Sequence, residues 1–105
     1  MTAELSPELL AEIKNSLDIT WEDEATDKKI QNFTALGMAY LDNKLGEPGD
    51  YSAPGFPRLL LFEYVRYARD AALDVFENNY LSLIMAMQNE RGVTRYVESA
   101  EQAEP

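Results

Sequence analysis

The run at residues 57–87, PRLLLFEYVRYARDAALDVFENNYLSLIMAM, constrains the fold of this chain more than any other stretch. It is helical in pattern and changes its apolar register partway. Leu60, Leu61, Tyr64, Val65, Ala68, Ala71, Ala72, Val75 and Phe76 are spaced to share one side of a helix. Glu63, Arg66, Asp70, Asp74 and Glu77 take the opposite side. Beyond Asn78-Asn79 the rule fails, because Leu81, Ile84 and Met85 would point to that polar side. Either the helix ends or bends at the asparagine pair, or a second apolar face meets something outside the fold. A small chain with a second apolar face reads as an assembly part rather than a free-standing enzyme.

At 105 residues the chain fits one domain with a modest core. The expected division is a helical domain over 1–97 and a disordered polar tail over 98–105. No apolar run approaches the ~18 residues of a membrane span. The first residues, MTAELSPELL, show no basic stretch followed by an apolar run, so no signal peptide is visible. There is no cysteine, which removes disulfides and thiolate metal sites and fits a reducing compartment. There is also no histidine, hence no imidazole base and no His-containing zinc site. Chemistry would have to rest on carboxylates, lysines or tyrosines. The expectation is no enzyme, no cofactor and no metal. The net charge of −10 repels nucleic-acid phosphates and argues against groove binding.

Ser6-Pro7-Glu8 marks a helix start, with Ser as N-cap, Pro at the first helical position and an acid in the first turn. Residues 1–5 read as a frayed end. Leu9, Leu10, Ile13 and Leu17 give the first helix its apolar face, and the helix ends near Leu17 or Asp18. An acidic connector feeds a second helix that starts between Thr20 and Asp27, with Thr20 and Asp23 at capping-box spacing. Its stripe is Ile30, Phe33, Gly37, Tyr40, Leu41 and Leu45. Gly37 on that stripe predicts close approach by another helix, and Gly46 is placed to end it. Residues 46–57 form the one long loop, with two Pro-Gly turns and with Tyr51 and Phe56 able to fold back on the core. Pro57 opens the third helix. Asn89 to Gly92 reads as a helix stop, and the alternation at 93–97 as a short strand lacking a partner in its own chain. The fold class is therefore all-α, three to four helices with a Gly/Pro-rich loop before the long third helix and a possible short β segment near the C-terminus.

The acids Glu22, Asp23, Glu24 and Asp27 lack the order of a calcium loop and read as a helix-start cluster. Glu63, Asp70, Asp74 and Glu77 along one helix side lack the His partners of carboxylate metal sites and read as a solvated or subunit-facing side. Tyr64 and Tyr67 with Arg66 and Arg69 read as core packing with hydroxyls at the rim rather than a base-stacking patch. Leu59, Phe62, Leu73 and Ile84 fall together on a flank beyond the main stripe. With Leu81, Met85, Val93 and Tyr96 they are the candidate subunit or partner interface.

LLAEIKNSLDITWEDEATDKKIQNFTALGMAYLDNKLG followed by LLLFEYVRYARDAALDVFENNYLSLI resembles the small head–tail connector (neck adaptor) proteins of long-tailed bacteriophages and prophages. The shared pattern is a short first helix ending in Leu-Asp-Ile, an acidic link, a second helix, and a long helix rich in Tyr, Arg and Ala. It covers residues 9–87. The resemblance implies a mostly helical subunit that forms a homo-oligomeric ring on the portal protein and extends the DNA channel. The ring would meet a downstream neck or tail protein, and DNA would pass through without specific binding during packaging and ejection. It also implies a place in the virion neck, assembled in the host bacterial cytoplasm with no membrane partner. The family has no catalytic residues to carry over. The strand-like 93–97 could add to a sheet edge of another protein. The competing readings are an acidic DNA mimic, or another small helical inhibitor or adaptor, and an enzyme using carboxylates.

Overall fold

The computed structural model describes the backbone of residues 6–103 and the side chains of residues 6–92. The expected frayed end at 1–5 and the last two residues of the expected tail lie outside the described residues. Four helices follow in order: α1 Pro7–Ser16, α2 Glu24–Leu45, α3 Phe56–Arg69 and α4 Leu73–Ala103. The chain is all-α, as the periodicity predicts.

Local chemistry explains most of the boundaries. Ser6 caps α1, its Oγ accepting from Leu9 N–H at 3.1 Å, with Pro7 in the first turn. Asp23, rather than Thr20, caps α2, accepting from Thr26 N–H at 3.0 Å and from its hydroxyl at 2.7 Å. Gly46 ends α2 in the left-handed conformation at φ 78°. α1 ends in a Schellman turn with Asp18 at φ 59°, where Ile19 N–H reaches the Lys14 carbonyl at 3.0 Å.

The same turn breaks the long helix, and it corrects the reading of the asparagine pair. Ala71 stands at φ 56°, Ala72 N–H reaches the Tyr67 carbonyl at 2.8 Å and Ala71 N–H the Ala68 carbonyl at 3.1 Å. The chain therefore reverses at residues 70–72, and Asn78-Asn79 lies inside α4. The expected stop at 89–92 and strand at 93–97 are also absent, because α4 runs through both to Ala103. Gly92 sits in helix with nothing within 4 Å of where a Cβ would stand. Alanine in the left-handed region costs ~1 kcal/mol. Burying Phe76, Ile84 and Met87, each at most 2% exposed, returns about 1.5–3 kcal/mol apiece. That larger gain explains why a strong helix former gives up its helix here.

α2 and α3 form an antiparallel pair. α1 and α4 each pack against both, and α1 does not meet α4 among the described residues. The Tyr80 hydroxyl donates to Glu63 at 2.8 Å and Asn79 Nδ2 to the Tyr67 hydroxyl at 3.2 Å, which sets α4 antiparallel to α3. α2 and α3 touch most closely at Gly37, where an added Cβ would lie 2.8 Å from Leu61 Cδ1 and 2.8 Å from Tyr64 Cδ1. The close approach predicted for this glycine is thus met. Leu9, Ile13, Ile30, Met38, Leu41, Leu60, Leu61, Val65, Phe76, Ile84 and Met87 join in one core. Phe76 is the hub of an aromatic cluster, with ring centroids 5.1–6.0 Å from Tyr80, Tyr64, Tyr67 and Tyr40.

Two predictions follow from the backbone. Ala71→Gly and Gly92→Ala should each raise stability by about 0.5–1 kcal/mol in urea unfolding; a helix continuous through 71 and stopping at 92 would reverse both signs. Gly37→Ala should lower stability by roughly 1–3 kcal/mol despite its better helix propensity, because both contacted side chains are buried. Unchanged or raised stability would show that the crossing is loose.

Candidate interaction surfaces

The loop at 46–57 is anchored on α2 and α3 rather than free to bind. Asp42 Oδ1 accepts from Gly49 N–H at 2.9 Å and from the Tyr51 hydroxyl at 2.5 Å. Tyr51 is buried and Phe56 half-buried, so both fold back on the core as read from sequence. Burial first, then the bond to Asp42, pushes the Tyr51 hydroxyl pKa up. Arg58 ties three parts together. It pairs with Glu12 of α1, donates to the Tyr51 carbonyl at 3.1 Å and lies 4.8 Å over the Phe62 ring.

With the loop held this way, Pro54, Gly55, Arg58, Leu59, Phe62, Glu63, Arg66 and Ser16 enclose a groove of about 340 Å³ on the face of α3 turned away from α2. Leu59 is 47% exposed and Phe62 half-buried. The structure therefore brings these two predicted interface residues together. Leu81 (47% exposed) and Met85 (52%) lie one turn apart on a different side, along the flank of α4 next to α2. Glu77, one turn before Leu81, identifies that flank, since it takes the Tyr40 hydroxyl at 2.5 Å and Lys44 Nζ at 2.8 Å, both from α2. Leu73 is partly exposed at the start of α4.

Ile84 is a correction. It is 2% exposed and belongs to the chain's own core, so it is no interface residue. The reversal at 70–72 resets the phase of α4 and turns Phe76, Tyr80, Leu83, Ile84 and Met87 inward together. Val75, placed on the main stripe by sequence, is instead exposed. The side chains of Val93 and Tyr96 lie outside the described ones. Trp21 and Leu36, 50% and 56% exposed, are further apolar surface residues outside the expected interface. Leu36 had a signal, since it falls off the stripe of α2.

The four acids read as one helix side are divided between two helices, Glu63 on α3 and Asp74 and Glu77 on α4, with Asp70 at the end of α3. No group of three or more acids among the described residues could hold a metal ion. The cations are largely engaged within the chain. Lys14 pairs with Asp27 at 2.6 Å, Lys44 with Glu77, and Arg91 with Glu47 at 2.6 Å, while Arg69 donates to the Leu17 carbonyl at 2.9 Å. Arg66 lies 3.8 Å from Glu63 and is the more exposed partner. No helix among the described residues is long and apolar enough to cross a membrane.

Tyrosine hydroxyls set against carboxylates line the seams of α4. Burial, then the bond to Glu63, pushes Tyr80 up to about 12. Burial, then Glu77, raises Tyr40, and burial alone raises Tyr64. Lys44 first, then Tyr40, lowers the Glu77 carboxyl.

No family model, no curated protein and no solved structure matches this chain.

Two outcomes are expected from these surfaces. Phe62→Asp should keep the helical circular dichroism and lower the unfolding midpoint only modestly, whereas Ile84→Asp should cost about 3–5 kcal/mol or unfold the chain, by burying an unpaired charge. Equal effects at both sites would refute the assignment. The tyrosines titrate near 10 when unfolded and higher when folded, so their neutral forms favour the fold. Stability should be full below pH ~10 and decline as pH rises towards ~12. A urea-midpoint series across that range checks this, and Tyr80→Phe should flatten the decline.

Proposed function

We propose that this chain is a structural subunit of a phage or prophage head–tail connector, one that oligomerises around the DNA passage rather than catalysing a reaction. The observation that carries the reading is the presence of apolar groups left wholly or partly exposed on two separate sides of one small helical body, Leu59 and the half-buried Phe62 on α3 and Leu81 and Met85 on α4. A ring of identical subunits needs two unlike contact sites on each copy, because its contacts are heterologous.

The charge layout supports the same reading. The exterior of a chain with net charge −10 gives DNA little to hold, and most of its cations are already bound to the chain's own carboxylates and carbonyls. DNA would pass such a ring without being gripped. The sequence resemblance supplies the partners. These are copies of the chain itself, a portal protein on one side and a downstream neck or tail protein on the other. The location would be the virion neck after assembly in the host bacterial cytoplasm. The alternative of a DNA mimic is weaker on this structure, since Glu12, Asp27, Glu47 and Glu77 are engaged with cations of the chain rather than arrayed for a partner.

Electron microscopy of the purified chain mixed with its portal complex tests the proposal. The expected result is a ring of added density on one end of the portal. Bare portal ends at saturating chain would overturn it.

A further inference from the structure

α4 carries an uncharged run, NNYLSLIMAMQN at residues 78–89, in a chain whose residues are 27% charged. Asn78, Leu81, Ser82, Met85 and Asn89 recur there at helical spacing, and all five are exposed. They form a convex ridge on the outer side of α4, with Leu81 and Met85 as its apolar crest. Glu77 borders the ridge, and Lys44 meets its charge at 2.8 Å. α2 has a second uncharged run at residues 30–41, but Leu36 is the one large exposed hydrophobic in it.

The α3 groove is the concave counterpart. Leu59 and the half-buried Phe62 supply its apolar lining. Its charges are matched, since Arg58 pairs with Glu12 and Arg66 lies 3.8 Å from Glu63. Ridge and groove are therefore apolar surfaces without net charge on a chain of net charge −10. Two such bodies repel, and like charges set face to face weaken an interface. A second copy can close on the first where neither surface bears a net charge. A nucleic acid or a strongly basic partner finds no unmatched charge to pair with there. Shape then selects among the pairings of two copies. Ridge against ridge touches only along two crests, and groove against groove encloses a void. A ridge in a groove buries both, as when side chains one turn apart on an amphipathic helix enter an apolar cleft. Met85 is unbranched and adapts to the shape it must fill.

We propose that Leu81 and Met85 of one copy seat in the α3 groove of the next, against Leu59 and Phe62. Each chain then offers its ridge and its groove to two different neighbours, so the contact is head-to-tail and repetition can close a ring. This inference rests on the assembly reading and names which surface meets which.

The absence of cysteine lets single thiols report the contact. Leu59→Cys and Leu81→Cys variants, mixed with a short thiol cross-linker in the presence and absence of portal complex, should form a covalent heterodimer in higher yield than either variant alone. Leu36→Cys with Leu59→Cys should not. Leu59→Asp and Leu81→Asp should each keep helical circular dichroism and lose the association that the unaltered chain shows. Their equal mixture should regain paired chains, because each retains the surface the other lacks. If the chain associates or decorates portals while the 59–81 cross-link is absent, no stronger than 36–59, or weaker than 59–59 or 81–81, the groove contact is refuted and the assembly reading stands. A chain that stays monomeric at every concentration and leaves portals bare refutes both.

Discussion

A methyl group on residue 37 would stand 2.8 Å from atoms of both Leu61 and Tyr64, closer than packed carbons tolerate. The missing side chain lets α2 and α3 approach closely enough for Leu60, Leu61, Val65 and Leu41 to become fully enclosed. The other two helices are laid on that pair. α1 rests in it through Leu9, Ile13 and Leu17, and is locked by Arg58 and Arg69 reaching from α3 to Glu12 and the Leu17 carbonyl. α4 rests in it through the ring cluster around Phe76. A helix without strong caps gains most of its stability from such an apolar seat, not from propensity.

The reversal at Ala71 decides what the outside of the molecule looks like. Had α3 run on, Phe76 would have stayed in line with Tyr64 and Val65, and Ile84 would have been stranded. Folding back spends ~1 kcal/mol on a left-handed alanine and recovers several from the burial of α4. It also fixes which apolar residues are left over. Leu81 and Met85 remain on the flank beside α2, and Leu59 and the half-buried Phe62 beneath Arg58 on the outer face of α3. The two surfaces on which the functional reading depends are thus by-products of where one turn falls.

Charge is arranged to hold the body together rather than to hold a polyanion. Lys14, Lys44, Arg58, Arg69 and Arg91 each tie one segment to another. Exposed pairs of this kind contribute only about 0–1 kcal/mol each. Their larger consequence is that few cations are left on the exterior, among them Lys28 and Lys29 on α2 and Arg66 on the groove.

By itself the sequence determined the helical class, the starts of α1 and α3, the end of α2, the fold-back of Tyr51 and the crowding at Gly37. Each is a matter of local chemistry: a capping side chain, a fixed proline φ, a glycine free to go left-handed, an apolar period. It also marked Leu59 and Phe62 as lying off the main stripe. Only the tertiary structure decided the break at residues 70–72, the core place of Ile84 and the helix through Gly92. Ala71 is the best helix former by propensity, and Gly92 among the worst. Ala71 leaves the helix because burying the face of α4 outweighs a local term of about 1 kcal/mol, whereas Gly92 stays helical in open surroundings. Periodicity reports which residues could share a face. Where a chain turns back depends on what that face will meet, and this is set by residues far away in sequence.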